Sequence, residues 1–559
     1  MEAMPFVDGL TIGGVFLRTV AAHGERDAVV FPELNLRWSY ADFLDRVQRV
    51  ARALMAIGVK PGDHVGIWST NWPEWLLAQF STAYIGAVLV NVNPAYRLHE
   101  LDYILRAADI KVLLLTDAFK HSNYENMMAE LIPALEQILY DEQTPHERYP
   151  QLEHAISIKN GPGCKGIWPW NEFVAQSHQV REAQLLERAG SVRFDMPANI
   201  QYTSGTTGNP KGAMLSHRNL LMNAWHVGER QDIAEIDRVC IPVPFYHCFG
   251  CVMGTIMCMI RGAAMVIPAE SFDPQSVLAA VEKERCTALY GVPTMFNAEL
   301  NVPNFDEYDL NTLRTGIMAG SPCPIELMKQ VTQLMHMNEL TIAYGLTEFS
   351  PVITQTETAD PVDVRVGTVG RALPGVEVRI VHPETLEDAP QGEPGELWAR
   401  GHGTMLGYYK DPAATALAIL PDGWLRTGDL ATITPSGHYR ITGRIKDMII
   451  RGGENIYTRE IEEFLITHPK IYDVQVVGLP DAHHGEQVSA WIIRKDPSLT
   501  ADEVKAFCKG EIAHYKIPHY IAFVDEFPLT VSNKIQKFKL REMGIEKYAL
   551  GAAARTETA

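Results

Sequence analysis

Apolar residues recur with two periods along this chain. Residues 41–58 (ADFLDRVQRVARALMAIG) place Phe43, Leu44, Val47, Val50, Ala51, Leu54 and Met55 on one stripe at helical spacing, with a Pro61-Gly62 turn beyond it. The strand-length runs HVGIWS, GAVLVNVN and KVLLLT follow, with a helical stretch from Trp72 to Tyr84 between the first two. Continuous apolar strands alternating with helices are the rhythm of a largely parallel sheet covered on both faces. The rhythm recurs at 239–244, 264–268, 287–292 and 315–319.

Near residue 365 the pattern changes. VGTVGRALPGVEVRIV, GELWARG and HYRITGR read as short strands punctuated by glycine, without helices between them. An antiparallel or barrel-like subdomain is therefore predicted over about 365–445. Beyond GRIKDMIIRGGENI a smaller α/β rhythm returns: Ile461–Leu465 is helical, VQVVGLP and QVSAWIIR are strands, and ADEVKAFCKGEI is a helix. The predicted fold class is α/β. A large N-terminal domain (1–445) holds parallel α/β sheets and the β-barrel-like subdomain, and a small α+β C-terminal domain covers 446–559. The longest apolar run, residues 248–260, stops at Arg261. A membrane-crossing helix needs about 20 apolar residues, so at most peripheral membrane contact is expected. The N-terminus, MEAMPFVDGLTIGG, has an acid at position 2 and no basic stretch, unlike a secretory or transit peptide.

Composition narrows the function. The chain has 559 residues, 46% of them apolar and 21% charged, which is ordinary for a globular protein. Forty-nine Lys and Arg against 68 Asp and Glu give a formal net charge of −19, which argues against nucleic-acid binding. A local basic or amide-rich site can still hold a small anion. The eight cysteines are scattered, which suits a reducing cytoplasmic compartment. Cys248 and Cys251 form the one C-x-x-C. The pair opens the apolar run CFGCVMGTIMCMI and lacks a second pair, so it reads as small hydrophobes rather than a zinc or redox site. His483-His484 lies in LPDAHHGEQ with no third ligand at useful spacing and reads as a loop.

The densest chemistry lies in Tyr202-Thr-Ser-Gly-Thr-Thr-Gly-Asn-Pro-Lys-Gly212. Glycines let the backbone approach a ligand, successive amides form an anion nest, hydroxyls add donors and Lys211 adds a charge. Such a loop suits a polyphosphate. It is not a Walker A loop, because Lys211 precedes Gly212 instead of following a glycine.

This loop resembles the signature of the adenylate-forming superfamily, which contains acyl-CoA synthetases, luciferases and peptide-synthetase adenylation domains. Further blocks resemble that family in the same order: Tyr344-Gly-Leu-Thr-Glu348, Gly395-Glu-Leu-Trp with Gly407-Tyr-Tyr409, Thr427-Gly-Asp429, Gly443-Arg-Ile-Lys-Asp447, and Val531-Ser-Asn-Lys534-Ile-Gln-Lys. NVNPAYRLHELDYIL and PFYHCFG are most similar to fatty acyl-CoA synthetases of the medium-chain family member 2 group and its bacterial relatives. The resemblance covers nearly the whole chain.

The resemblance implies a fatty acid–CoA ligase that uses ATP, Mg²⁺ and coenzyme A and works through an acyl-adenylate. It places Thr203, Ser204, Gly205, Thr206, Thr207, Gly208, Asn209, Pro210 and Lys211 around the β- and γ-phosphates. Tyr344 would stack on adenine, with Ala319, Gly320 and Ser321 lining the pocket. Thr347 would touch the α-phosphate, and Glu348 would hold Mg²⁺. Asp429 would accept from the ribose hydroxyls, Arg444 would contact ribose or phosphate, and Lys446 would mark the hinge. Gly452 and Gly453 would border the pantetheine tunnel once the C-terminal domain rotates. Lys534 would bridge the α-phosphate and the substrate carboxylate. His247 would orient the carboxylate and gate CoA, the alternative being a satisfied core histidine. The chain departs from the family at Asn533, where relatives carry Gly, and at Pro528-Leu-Thr, which lacks an upstream Arg. Asn tolerates positive φ better than most residues.

A medium-chain fatty acid is the expected substrate; branched, terpenoid and aromatic acids stay open, as does a carrier protein as acyl acceptor. A homodimer is compatible with the resemblance.

Overall fold

The computed structural model describes residues 5–120, 122–132, 148–159, 166–203, 210–321, 323–451, 454–481, 483–529 and 535–550. They form two compact units: residues 1–377 with 399–425, and residues 378–398 with 426–559.

The larger unit is built on two twisted sheets. One has nine strands, in the order Arg371–Ala372, Val352–Gln355, Glu339–Gly345, Thr315–Ala319, Ala288–Gly291, Arg238–Cys240, Ala264–Val266, Asp27–Phe31 and Leu36–Ser39. Its inner strands run parallel, and both ends turn antiparallel. The other has eight, in the order Gly407–Tyr408, Lys211–Ser216, Pro197–Thr203, Val88–Val92, His64–Trp68, Ile110–Leu115, His154–Ser157 and Trp168–Pro169. The parallel α/β rhythm expected from the sequence is the architecture found.

The helices follow their local chemistry. Tyr40–Ala56 starts at a capping box in which Ser39 and Asp42 each bond the other's backbone N–H. Of its predicted stripe, Phe43, Val47, Val50, Ala51 and Leu54 are buried, while Leu44 and Met55 are half-buried. Pro73–Ile85 is buried on all sides from Trp75 onward, as expected of a helix that is apolar all round. The apolar run after His247 takes a form the sequence did not announce. Phe249–Ile256 is a π-helix with every residue buried, and it passes into the α-helix Met257–Arg261. A widened turn of this kind often marks a functional site.

The stretch predicted to be free of helices contains one short helix, Pro412–Ala418, and a second, Val362–Gly367, straddles its start. Pro412–Ala418 carries a plain start signal: Asp411 accepts from Ala414 N at 2.8 Å, and Pro412 occupies the first helical position. Moreover, Arg371–Ala372 and Gly407–Tyr408 join the edges of the two large sheets.

A four-stranded sheet, most of whose residues belong to the smaller unit, pairs Leu425–Ile433 antiparallel with Tyr439–Arg444 at its edge and is completed by Gly395–Gly401 and Val376–Val381. A second sheet is dominated by the long hairpin Ile471–Asp481 with Gly485–Arg494, joined by Tyr520–Val524 in parallel. Its core gathers Ile461, Leu465, Val474, Val488 and Val504. The helix read as 501–512 ends earlier, at Cys508, because Lys509 is extended and Gly510 sits at φ +91°.

Candidate active site

The strands Pro197–Thr203 and Lys211–Ser216 form an antiparallel pair with Thr203 directly opposite Lys211. The glycine- and threonine-rich segment is thus the connection of a hairpin, with its polar ends brought together. Ser204, Gly205, Thr206, Thr207, Gly208 and Asn209 lie outside the described residues. Pro210 O accepts a hydrogen bond from Tyr103 OH at 3.1 Å. From the facing end of the other sheet, Glu348 meets this hairpin: Thr203 Oγ1 donates to Glu348 Oε1 at 3.3 Å, and Tyr408 OH donates to the same oxygen at 2.9 Å. The Lys211 ammonium lies 5.4 Å from the Tyr408 ring centroid. Burial, followed by the Glu348 charge, pushes the Tyr408 phenol well above its ordinary value, so the tyrosine remains a donor.

Glu348 and its neighbours follow the C-terminal end of a parallel strand, where open α/β sheets place their ligands. Ala319 and Ala343 are register partners on adjacent strands, so Gly320 and Ser321 leave one strand beside Tyr344 on the next. Tyr344 is half-buried. The chain then turns sharply, and Gly345 has no alternative there: a Cβ would stand 1.9 Å from Pro351 O. The 3₁₀ turn Thr347–Phe349 buries Thr347 and leaves Glu348 half-buried.

Thr347 is connected to His247 through Cys248, whose apolar sequence context marks it only as a small hydrophobe. Cys248 Sγ lies 3.8 Å from Thr347 Oγ1 and 3.7 Å from His247 Nδ1. Phe249 N donates to His247 Nδ1 at 3.2 Å, which assigns that nitrogen as acceptor and the ring proton to Nε2. His247 is half-buried beside the π-helix and is not enclosed in the core.

In the smaller unit, Asp429 is buried and its Oδ1 lies 2.8 Å from Arg444 Nε, the two being partners across the strand pair. The turn before Asp429 is held by the Gly395-Glu-Leu-Trp block. Glu396, itself buried, accepts from Arg426 Nη2 at 2.9 Å and Gly428 N at 3.1 Å. Thr427 Oγ1 donates to Leu397 O at 2.6 Å and accepts from Asp429 N at 3.1 Å. Two blocks about thirty residues apart in sequence therefore form one structural element. Burial, reinforced by Arg444, lowers the Lys446 pKa. Gly452, Gly453 and Lys534 lie outside the described residues. The His483-His484 loop is organised by Asp481, whose Oδ1 accepts from both backbone N–H groups at 3.1 and 2.8 Å.

Residue-type reasoning left Cys248, Tyr408 and Glu396 without roles. Tyr408 and Glu396 sat inside blocks already noted, but only their contacts reveal what they hold.

The donors around Glu348 are a carboxylate and two hydroxyls. An all-oxygen set fits a hard cation such as Mg²⁺ and leaves phosphate oxygens and water to complete its coordination. Among the described residues, no group of three His, Cys, Asp or Glu side chains could hold a metal alone.

Comparison with known proteins agrees with this geometry. Residues 16–409 match the model of the AMP-binding enzyme family, and residues 460–534 match that of the AMP-binding enzyme C-terminal domain. YngI of Bacillus subtilis (strain 168), named as an acyl-CoA synthetase, is 53% identical over 97% of this chain and 98% of its own. The human mitochondrial medium-chain acyl-CoA ligase ACSF2 is 42% identical over 95% of this chain and 87% of its own. Among solved structures, the anthranilate CoA ligase AuaEII with anthranoyl-AMP superposes with a TM-score of 0.85 at 25% identity, over 97% of this chain and 98% of that one. ATP-bound MatB from Rhodopseudomonas palustris gives 0.79 at 28% identity, over 96% and 100%.

The chain belongs to the AMP-binding enzyme family. Within it, the protein is an AMP-forming acyl-CoA ligase, a class that uses ATP, Mg²⁺ and coenzyme A.

Proposed function

We propose that the protein activates a medium-chain fatty acid. The observation that carries the site assignment is the convergence of Thr203, Lys211, Thr347 and Glu348 at facing ends of two sheets. Relatives named medium-chain acyl-CoA ligase, about 42% identical over 95% of the chain, support the acid. In the first step a carboxylate oxygen attacks the α-phosphorus of ATP. The bond to the β-phosphate bridge breaks, and pyrophosphate leaves. Two anions must meet, so the work is positioning and charge stabilisation.

Thr203, Pro210, Lys211 and the residues 204–209 between them bind the β- and γ-phosphates. Tyr344, with Ala319, Gly320 and Ser321, holds adenine, and Thr347 binds the α-phosphate. Glu348 would hold Mg²⁺, which would supply Lewis-acid charge neutralisation on the phosphates. Lys534 bridges the α-phosphate and the carboxylate. Asp429 and Arg444 bind the ribose. His247 orients the carboxylate, and Cys248 steadies it against Thr347. In the second step the CoA sulfur attacks the acyl carbon and AMP leaves. Rotation of the C-terminal domain (446–559) about Lys446 exchanges Lys534 for Gly452 and Gly453, which line the pantetheine tunnel.

A second reading, an aromatic acid, draws on the likeness to the anthranilate CoA ligase. We place the protein in the cytoplasm, for which the free thiols of all seven described cysteines speak. No helix of the described residues is long and apolar enough to cross a membrane. A homodimer remains part of the proposal, read out by light scattering.

The test is pyrophosphate and AMP release with Mg-ATP across straight-chain acids from two to eighteen carbons, with benzoate and anthranilate added, with and without CoA. CoA-dependent turnover peaking near eight to twelve carbons is the expected result. Turnover confined to aromatic acids overturns it in favour of the second reading. Pyrophosphate release once per enzyme, without a CoA response, points to a carrier protein as acceptor.

A further inference from the structure

The Gly407-Tyr-Tyr409 block has the backbone connections of a strap. Met405 N donates to Glu348 O at 2.9 Å, and Leu406 N donates to Met214 O at 2.9 Å. Gly407 and Tyr408 pair antiparallel with Met214 and Ala213, and Tyr409 N donates to Gly212 O at 2.8 Å. The segment is therefore stitched at one end to the turn bearing Glu348 and at the other to the strand that opens with Lys211. Its own conformation is locked. Gly407 lies at φ +136°, and a Cβ there would stand 2.9 Å from Thr415 Cγ2. Thr415 Oγ1 accepts from Tyr408 N at 2.8 Å and donates to Asp411 O at 2.8 Å.

On this strap sits a side chain that touches both proposed charges. We propose that Tyr408 is a positioning residue for adenylation, holding the Glu348 carboxylate and the Lys211 ammonium apart and aimed at the Mg-nucleotide. The inference rests on the metal and phosphate roles given above to Glu348 and Lys211. The phenol O–H occupies one lone pair of Glu348 Oε1 and fixes the rotation of the carboxylate about its terminal bond. The same ring offers its negative face to Lys211, which a flexible four-carbon stem would otherwise leave free to swing. Without the tyrosine, acid and lysine can close on each other as an ion pair. That pair would remove one charge from the metal and the other from the phosphates. A tyrosine suits this task better than a second charged group, because it bonds the acid and faces the cation without neutralising either.

The test uses the full-length enzyme with a non-hydrolysable ATP analogue. Mn²⁺ binding to the enzyme–analogue complex is read by electron paramagnetic resonance, and the Mg²⁺ dependence of pyrophosphate release is measured in parallel. Tyr408→Phe keeps the ring and loses the O–H. It is expected to weaken Mn²⁺ binding, and to raise the Mg²⁺ concentration at half-maximal rate, by about tenfold, the scale of a hydrogen bond to a charged group. The KM for the fatty acid should be unchanged. Tyr408→Leu, which also removes the ring, should additionally raise the KM for ATP about fivefold, the scale of a cation–π contact. Should Tyr408→Leu fail to fold, Tyr408→Phe decides alone. The metal reading is checked by Glu348→Gln. If that variant loses metal-dependent adenylation while Tyr408→Phe binds Mn²⁺ as the wild type does, the positioning role is overturned and the metal site stands. If Glu348→Gln keeps wild-type Mn²⁺ affinity, the metal reading falls, and the role of Tyr408 falls with it.

Discussion

Asp429 and Arg444 face each other across an antiparallel strand pair, with Arg444 Nε 2.8 Å from Asp429 Oδ1. The carboxylate side chain is 7% exposed and the guanidinium 55%, so the pair is a buried acceptor beneath a largely exposed cation. Exposed partners of this kind contribute little to stability. Arg444→Ala should change the free energy of unfolding by about 1 kcal/mol or less, while Asp429→Ala should raise the KM for ATP about tenfold or more, on the ribose role proposed for this carboxylate. Thermal melts and ATP titrations of pyrophosphate release separate the two effects.

Glu396 is the acid that shapes the turn before Asp429. Its removal leaves Gly428 N and the Arg426 guanidinium without their shared acceptor. Glu396→Ala should destabilise the protein by about 2–4 kcal/mol and lower ATP affinity without altering any side chain proposed to bind ATP. Urea unfolding and the KM for ATP report both; an unchanged KM would show that the turn is set by other contacts.

Three buried histidines should make the fold sensitive to acid. Burial holds His217, His226 and His402 at about 4, against an ordinary value near 6.5. Between these values the unfolded chain binds protons that the folded chain refuses. Stability therefore rises with pH through this window and falls as pH drops from about 6.5 toward 4, by up to about 1.4 kcal/mol per pH unit for each group. Melting temperatures measured from pH 7.5 to 4.5 should show the decline, and His402→Asn should make it shallower.

Glu299 works in the opposite sense. It is fully buried, neither carboxyl oxygen has a hydrogen-bond partner among the described residues, and desolvation raises its pKa to about 8. A raised value means that its neutral form is tolerated below the unfolded value near 4.3, and that stability is progressively lost as pH rises toward 8. Glu299→Met, similar in volume and apolar, should stabilise the protein by about 1–3 kcal/mol at pH 8 and by less at pH 5. Equal gains at both pH values would show that the acid is not held neutral.

Gly345 tests the turn between Tyr344 and Thr347. A Cβ placed 1.9 Å from Pro351 O forces the backbone to move. Gly345→Ala should cost about 3 kcal/mol or more and abolish adenylation even where the protein still folds. Circular dichroism melts with the pyrophosphate assay would check this.

Much of the large unit was legible in the chain itself. Continuous apolar strands such as KVLLLT cannot be half-solvated, so they require a sheet covered on both faces, and the stripe from Phe43 to Leu54 admits one buried helical face. The Asp411-Pro412 start of a short helix was equally present, but the glycine punctuation around it masked the signal. The segment Tyr202–Gly212 stood out as a candidate phosphate loop because glycine, hydroxyl and lysine chemistry is crowded into eleven positions.

Sequence by itself therefore determined the α/β class, the order of the chemical blocks and the identity of most candidate ligands, because backbone period and side-chain chemistry are local properties. Tertiary structure alone decided which blocks meet. Tyr408 reaches Glu348 across sixty positions, Glu396 forms the bed of Asp429, and Cys248 lies between His247 and Thr347. Each of these contacts depends on strand order and register between distant segments. A hydrogen bond is sensitive to displacements of a few tenths of an ångström, and no local pattern in a single chain encodes that distance.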